Sequence, residues 1–246
     1  MRLTHLTFTG VDDSVDPTAL AQLSHHQPVI EWGVLIDPHQ QGQARFPSRP
    51  WRAAFERTAS GARRAAHVCG RTTIELLMMS ASEIDSFARD VVAIPFDRLQ
   101  LNFNADAVEP VAIERWIVQW ESLRATGSPW SDRRVITQHN ARNRTLADRF
   151  TDVDGKPLDW HQRLFDASGG TGTSPREWPT AMPGMSCGYA GGLSDLNVST
   201  ELARIESAAG SASVWLDMET GVRTAGRFDL ARVRGVIAAC QSGSWS

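Results

Sequence analysis

Arg163-Leu164-Phe165-Asp166-Ala167-Ser168-Gly169-Gly170-Thr171-Gly172 and Cys187-Gly188-Tyr189-Ala190-Gly191-Gly192-Leu193-Ser194-Asp195-Leu196-Asn197-Val198 share one layout. Each is a short, largely apolar run of strand length that opens into a glycine-rich loop. Working outward, further candidate strands are Leu3–Thr9, Val29–Ile36, Ala65–Cys69, Arg98–Phe103, Arg134–Gln138 and Ser213–Asp217. Between the strands lie patterns with apolar residues at three- and four-residue spacing, which predicts helices. These are Pro17–Leu23, Pro50–Arg57, Ile74–Phe87, Val111–Leu123, Leu196–Ala208 and Leu230–Ala239. The clearest is Val111–Leu123, where Ile113, Trp116, Ile117, Trp120 and Leu123 line one face. Asn140–Asp159 carries many charges and reads as a short helix followed by a long loop.

Eight strand-then-helix units in 246 residues match the count and size of a (β/α)8 barrel. A doubly wound open sheet would usually place its glycine-rich phosphate loop after the first strand. Here those loops come late in the chain. The expectation is therefore an α/β fold, a single closed (β/α)8 TIM barrel, with residues 1–246 forming one domain.

Composition narrows the function classes. Hydrophobic residues make up 41% and charged residues 22%, ordinary globular usage that argues against disorder. The formal charge of -3 leaves no electrostatic footprint for nucleic acid, and Lys156 is the only lysine among 25 basic residues. No apolar run approaches the ~18 residues of a membrane span, and no charged-then-apolar leader opens the chain. Cys69, Cys187 and Cys240 are odd in number and far apart, which favours a reducing compartment over a disulfide scaffold. A cytoplasmic protein with neither a nucleic-acid nor a membrane partner is expected. Nine tryptophans spread over helices and loops are compatible with a homodimer. His25-His26 is an adjacent pair with diverging side chains, and no Cys/His/Asp spacing resembles a zinc site. Neither a nucleophile elbow nor a Gly-Lys phosphate loop is present. No metal and no cofactor is expected.

Glycine pairs let backbone N–H groups approach an anion without a Cβ in the way, and a following helix N-terminus adds partial positive charge. In (β/α)8 barrels the recurrent phosphate site uses loops near strands seven and eight. Glycine-bearing loops follow strands six, seven and eight here, the last being Glu219-Thr220-Gly221-Val222. Gly170, Thr171, Gly172, Gly191, Gly192, Thr220 and Gly221 are the candidate phosphate-binding residues. These loops are expected to lie within ~8–10 Å of one another, the reach of hydrogen bonds to one phosphate.

The same motifs carry a family resemblance. Leu164-Phe165-Asp166-Ala167-Ser168-Gly169-Gly170-Thr171-Gly172 resembles the strand-six signature of phosphoribosylanthranilate isomerases. Ala190-Gly191-Gly192-Leu193, with the turn into Asn197-Val198, is similar to the next signature. Asp217-Met218-Glu219-Thr220-Gly221-Val222-Arg223-Thr224 resembles the family's Asp-Val-Ser-Ser-Gly-Val-Glu-Thr. Phe46-Pro47-Ser48-Arg49 is similar to a Ser-x-Arg segment after strand two, and Leu99-Gln100-Leu101-Asn102 to a Val-Gln-Leu-His strand four. The likeness runs from about Gln162 to Cys240, is patchy from Leu3 to Asn104, and is absent between Ala105 and His161.

The resemblance implies an acid–base rearrangement of a phosphorylated aminosugar, with one group protonating the ring oxygen and another removing a sugar C2 proton. Asp166 matches the family's acid, and partial desolvation at a barrel mouth can raise a carboxyl's pKa as that role requires. Arg49 matches the arginine that holds the substrate carboxylate, a task suited to a guanidinium fork. Asn102 stands at the family's histidine position and joins Glu31, Asp37, Gln100, Asn104, Gln138, His139 and Asn140 at strand ends, a set suited to a hydroxylated substrate. The departure is at the base: the family's Lys-x-Cys-Gly is replaced by Phe8-Thr9-Gly10, with Thr9 in the cysteine's place. Cys69, beside His67 by strand alternation, is the candidate relocated base. Asp12 and Asp13 are alternatives that also suit helix capping.

Three functions follow. The first is an isomerase or lyase acting on a phosphorylated sugar-like metabolite with Asp166 as general acid. The second is the authentic tryptophan-pathway isomerase with Cys69 as base. The third is a non-catalytic barrel that binds a phosphorylated ligand.

Overall fold

Strands rich in β-branched and aromatic residues, covered on both faces, favour parallel pairing with helical crossovers. In the computed structural model, which describes residues 1–127, 129–166 and 172–241, eight such strands close into one parallel barrel. They are β1 (Arg2–Thr9), β2 (Ile30–Ile36), β3 (Arg63–Cys69), β4 (Arg98–Asn102), β5 (Arg134–His139), β6 (His161–Asp166), β7 (Cys187–Ala190) and β8 (Ser213–Met218). Each pairs with the next, and β8 returns to β1 through registers such as Leu6↔Leu216 and Thr7↔Asp217. The closed (β/α)8 expectation holds.

The outer layer is less regular. α1 (Pro17–His26) and α2 (Arg49–Thr58) follow β1 and β2, each with a proline in its first turn and a side-chain N-cap, Asp16 or Ser48. The expected single helix Ile74–Phe87 is divided into α3 (Gly70–Leu77) and α4 (Ala81–Phe87), because Ser80 and Glu83 form a capping box that starts a new helix. α5 (Pro110–Ala125) buries Ala112, Ile113, Trp116, Trp120 and Leu123. α6 (Arg144–Ala147) is the short helix of the charged fifth unit, and α7 (Val198–Ala209) and α8 (Leu230–Gln241) cover β7 and β8.

The sixth unit departs from the strand-then-helix rule: no helix lies between β6 and β7 among the described residues. Pro175, Pro179 and Pro183 remove backbone donors every four residues and prevent one. The segment covers the sheet irregularly instead. Trp178 is buried with its indole N–H donating to Glu201 Oε2 at 2.7 Å, and Tyr189 Oη donates to the Pro179 carbonyl at 2.9 Å.

The tryptophans belong to the core. Trp116 and Trp120 stack at 5.2 Å and meet Trp160, with Trp130 against Trp120 and Phe150 against Trp116. All eight tryptophans among the described residues are buried within the chain, so they offer no surface to a second copy; Trp245 lies outside the described residues. No helix among the described residues is long and apolar enough to cross a membrane.

The barrel interior is polar in its lower half. Arg98 Nε donates to Glu31 Oε2 at 2.8 Å, Arg98 Nη2 pairs with Glu31 Oε1, and Thr7 Oγ1 donates to the same carboxylate at 2.9 Å. The guanidinium lies 4.3 Å from the Trp215 ring centroid, and His5 stacks on that indole. Burial opposes the Glu31 charge, yet Arg98 together with His5 and the Thr7 hydrogen bond outweighs it and holds the carboxyl down to about 2. Removing one partner of a buried pair strands the other. Arg98→Met should therefore destabilise the protein by about 3–5 kcal/mol in urea unfolding, and the double replacement Arg98→Met/Glu31→Met should recover most of that loss.

Candidate active site

Parallel register places functional side chains at one end of the barrel. Asp166 on β6 is in register with Ala190 on β7, and Ala190 with Asp217 on β8. The two aspartates therefore stand at one level, two strand spacings or roughly 9–10 Å apart. Between them opens a cavity of about 280 Å³ at the C-terminal ends of the strands. Thr9, His67, Gln100, Asn102 and Gln138 line it from the other strands, and Gly172, Gly191, Gly192, Thr220 and Gly221 from the loops. Arg45 and Glu219 stand at its edge.

Asp217 has an environment no composition argument anticipates. Burial, followed by the nearby Glu219 charge, drives its carboxyl from 3.8 up to about 7, against a lowering hydrogen bond from Thr9. Thr9 Oγ1 donates to Asp217 Oδ1 at 2.7 Å. Gly33 on β2 makes room for this contact, since a Cβ there would lie 2.2 Å from Thr9 Oγ1. Thr9 thus orients a carboxyl of near-neutral pKa on the adjacent strand.

The three glycine loops touch. A Cβ on Gly172 would sit 3.7 Å from Thr220 Cβ, one on Gly192 would lie 2.3 Å from the Ser174 nitrogen, and one on Gly221 would lie 1.9 Å from the Leu193 oxygen. The contacts at Gly192 and Gly221 leave no room for a Cβ, and the three together bring the loops well within the expected distance. Asn197 holds the middle loop by accepting from the Ser194 N–H at 2.8 Å and donating to the Gly192 carbonyl at 2.8 Å. Gly170 and Thr171 lie outside the described residues.

Two expected site residues stand elsewhere. Arg49 is exposed at the first position of α2 and lines a separate cleft of about 160 Å³ with Arg52 and Asp90. The reason is local: Asp13 accepts from the Ser48 N–H at 2.7 Å and its hydroxyl at 2.5 Å, and Ser48 caps α2, so the chain turns before Arg49. Arg45 takes the cavity position. Its backbone N–H donates to Asp12 Oδ2 at 2.6 Å, and its guanidinium meets Glu219 at 2.8 Å. Cys69 is absent from the cavity lining; its thiol donates to the His67 carbonyl at 3.3 Å, and burial pushes it up to about 12. A thiolate is disfavoured there at neutral pH.

Asp12 is a structural hub. It accepts from Ser14, Arg45 and Arg223, tying the loops after β1, β2 and β8 together. Burial works against its charge, but the Ser14 and Arg223 hydrogen bonds prevail and hold the carboxyl below the usual range. The partner of Arg223 is this hub rather than the cavity.

Sequence reading missed three of these groups. Asp217 was visible as a carboxylate closing an apolar strand, Val214-Trp215-Leu216-Asp217. His67 lines the cavity itself rather than serving Cys69. Arg45 carried no signal, because its place depends on the Asp12 contact.

No protein-family model matches the chain, and no curated protein matches it. Solved structures do. Over 99% of this chain and 100% of its own, the N-(5'-phosphoribosyl)anthranilate isomerase of Pyrococcus furiosus superposes with a TM-score of 0.53 at 13% identity. The phosphoribosyl anthranilate isomerase of Thermococcus kodakaraensis gives 0.53 at 14% identity, over 98% and 100% of the two chains. A truncated 3-deoxy-D-arabino-heptulosonate 7-phosphate synthase from Thermotoga maritima gives 0.53 at 9%, over 98% and 86%. At such identities the likeness establishes the barrel fold alone.

The raised Asp217 value has a stability consequence. Between pH 4 and pH 7 the folded state holds a proton that the unfolded chain releases, so the native carboxyl costs stability as pH rises through that window. Asp217→Asn should be more stable than the natural protein by about 2–4 kcal/mol at pH 8, with the difference shrinking towards zero at pH 4, in paired urea titrations.

Proposed function

We propose that this chain is an acid–base isomerase or lyase acting on a phosphorylated, hydroxylated sugar-like metabolite. The observation that carries the reading is the pair of carboxyls in register across one cavity, one of them with a pKa near neutrality. A base works best when its pKa lies near the working pH, and Asp217 meets that condition where the cysteine is missing. Asp166, two strands away on β6, is the general acid. The amide-bearing wall of Gln100, Asn102 and Gln138 suits hydroxyl groups, and the touching loops support a phosphate site at Gly172, Gly191, Gly192, Thr220 and Gly221. Gly170 and Thr171 complete that proposal in sequence. Arg45 takes up the Glu219 charge beside those loops.

Authentic phosphoribosylanthranilate isomerisation with Cys69 as base has less support. That thiol is buried, bonded to a carbonyl and pushed up to about 12. The chain should fail to sustain a tryptophan auxotroph, and full complementation that survives both Cys69→Ser and Asp217→Asn would contradict the assignment of the base.

Turnover is tested with a panel of pentose and hexose phosphates in heavy water, following loss of the proton next to the carbonyl by NMR. At least one should exchange, with a rate that rises as pH passes through about 7, because ionised Asp217 is the active form. Asp217→Asn should slow it by about 10²–10⁴-fold. Binding without exchange would favour the non-catalytic barrel. For the phosphate loops, Gly221→Ala should weaken inorganic phosphate binding at least about tenfold in calorimetry, since its Cβ meets the Leu193 oxygen.

A further inference from the structure

His67 and Gln100 face each other in register on β3 and β4 and both line the cavity. They are 1% and 2% exposed, yet His67 Nε2 and Gln100 Oε1 have no hydrogen-bond partner. Buried polar atoms in native proteins are nearly always satisfied, so two adjacent exceptions on a cavity wall point to a ligand that supplies the missing groups.

The Gln100 amide is not free to rotate. Its Nε2 donates to Asn102 Oδ1 at 2.9 Å, and Asn102 Nδ2 donates to Cys69 Sγ at 3.4 Å. The Cys69 thiol in turn donates to the His67 carbonyl at 3.3 Å. These bonds fix the Gln100 oxygen, an acceptor only, on the side of the amide away from Asn102. Cys69 is thereby a positioning residue.

We propose that His67 and Gln100 form the subsite for an α-hydroxycarbonyl group, His67 Nε2–H donating to the carbonyl oxygen and Gln100 Oε1 accepting from the neighbouring hydroxyl. The assignment rests on the acid–base reading above and adds an electrophile to it. Burial keeps the imidazole neutral, down to about 3, so it acts as an N–H donor without giving up a full proton. When Asp217 takes the proton from the hydroxyl-bearing carbon, that C–H pair becomes the carbon–carbon double bond of an enediolate. The former carbonyl π pair settles on oxygen, where His67 holds it. Return of the Asp217 proton to the former carbonyl carbon, with a hydroxyl proton moved to the oxyanion, completes an internal redox exchange that needs no outside oxidant. A carboxylate at the same place would set two acceptors against the Gln100 oxygen and be rejected.

Ribulose 5-phosphate, an open-chain hydroxyketone, and ribitol 5-phosphate, which lacks the carbonyl, separate the possibilities. The natural protein should bind the ketose about tenfold or more tightly than the alditol. His67→Phe should abolish that preference and Gln100→Leu should reduce it, while His67→Gln, which keeps an N–H donor, should retain part of it. Isotope-edited infrared spectra of the natural protein with ¹³C-labelled ketose should show the carbonyl stretch moved to lower frequency, a readout that needs no variant to fold. Equal binding of the two probes, a preference unchanged in folded His67→Phe, or an unshifted carbonyl would overturn the subsite and leave the acid–base reading standing. Failure of both phosphates to bind would remove the phosphorylated-sugar reading and this subsite with it.

Discussion

Closure of β8 onto β1 is the constraint on which the site depends. That seam sets Thr7 opposite Asp217 and brings the Thr9 hydroxyl to 2.7 Å from the Asp217 carboxyl. Eight strands must tilt and stagger together to close, so a displaced register anywhere would move this contact. Gly33, one strand further on, gives the Thr9 side chain its space. The hydrogen bond favours the charged carboxyl, but burial works more strongly the other way. The outcome is a carboxyl that changes state near neutral pH inside a wall of uncharged amides.

A second layer of charge fixes the loops above this floor. Asp12 receives Arg45, Ser14 and Arg223, and Glu219 receives Arg45. Loops after β1, β2 and β8 are thereby joined by side chains, whereas loops after β6, β7 and β8 are joined by backbone contact at glycines. The two kinds of joint divide the cavity rim into a charged side and a glycine-lined side. Beneath, the Arg98–Glu31 pair fills the barrel where most barrels are packed with branched apolar residues.

The strands were legible because each is a short run of apolar and β-branched residues, and the loop order spoke for closure. Helix Val111–Leu123 was legible from its stripe, and the glycine loops from their spacing. Three prolines in residues 175–183 argued against a sixth helix, but the repeat count masked them. Arg49 lines a separate cleft because the Asp13–Ser48 contact turns the loop early, which the residue pattern alone does not reveal. Cys69 shares a strand with His67, yet only packing decides that its thiol points to a carbonyl rather than to the cavity. Asp217 was read as part of a motif; its chemistry depends on how deeply the closed barrel buries it.

The most direct measurement of this account is the ionisation of Asp217 itself. Carbon-13 NMR of protein labelled at aspartate carboxyls should show one resonance titrating with a midpoint near 7, absent in Asp217→Asn. A set of aspartate resonances that all titrate near 4, with none lost from the neutral range in that variant, would contradict it.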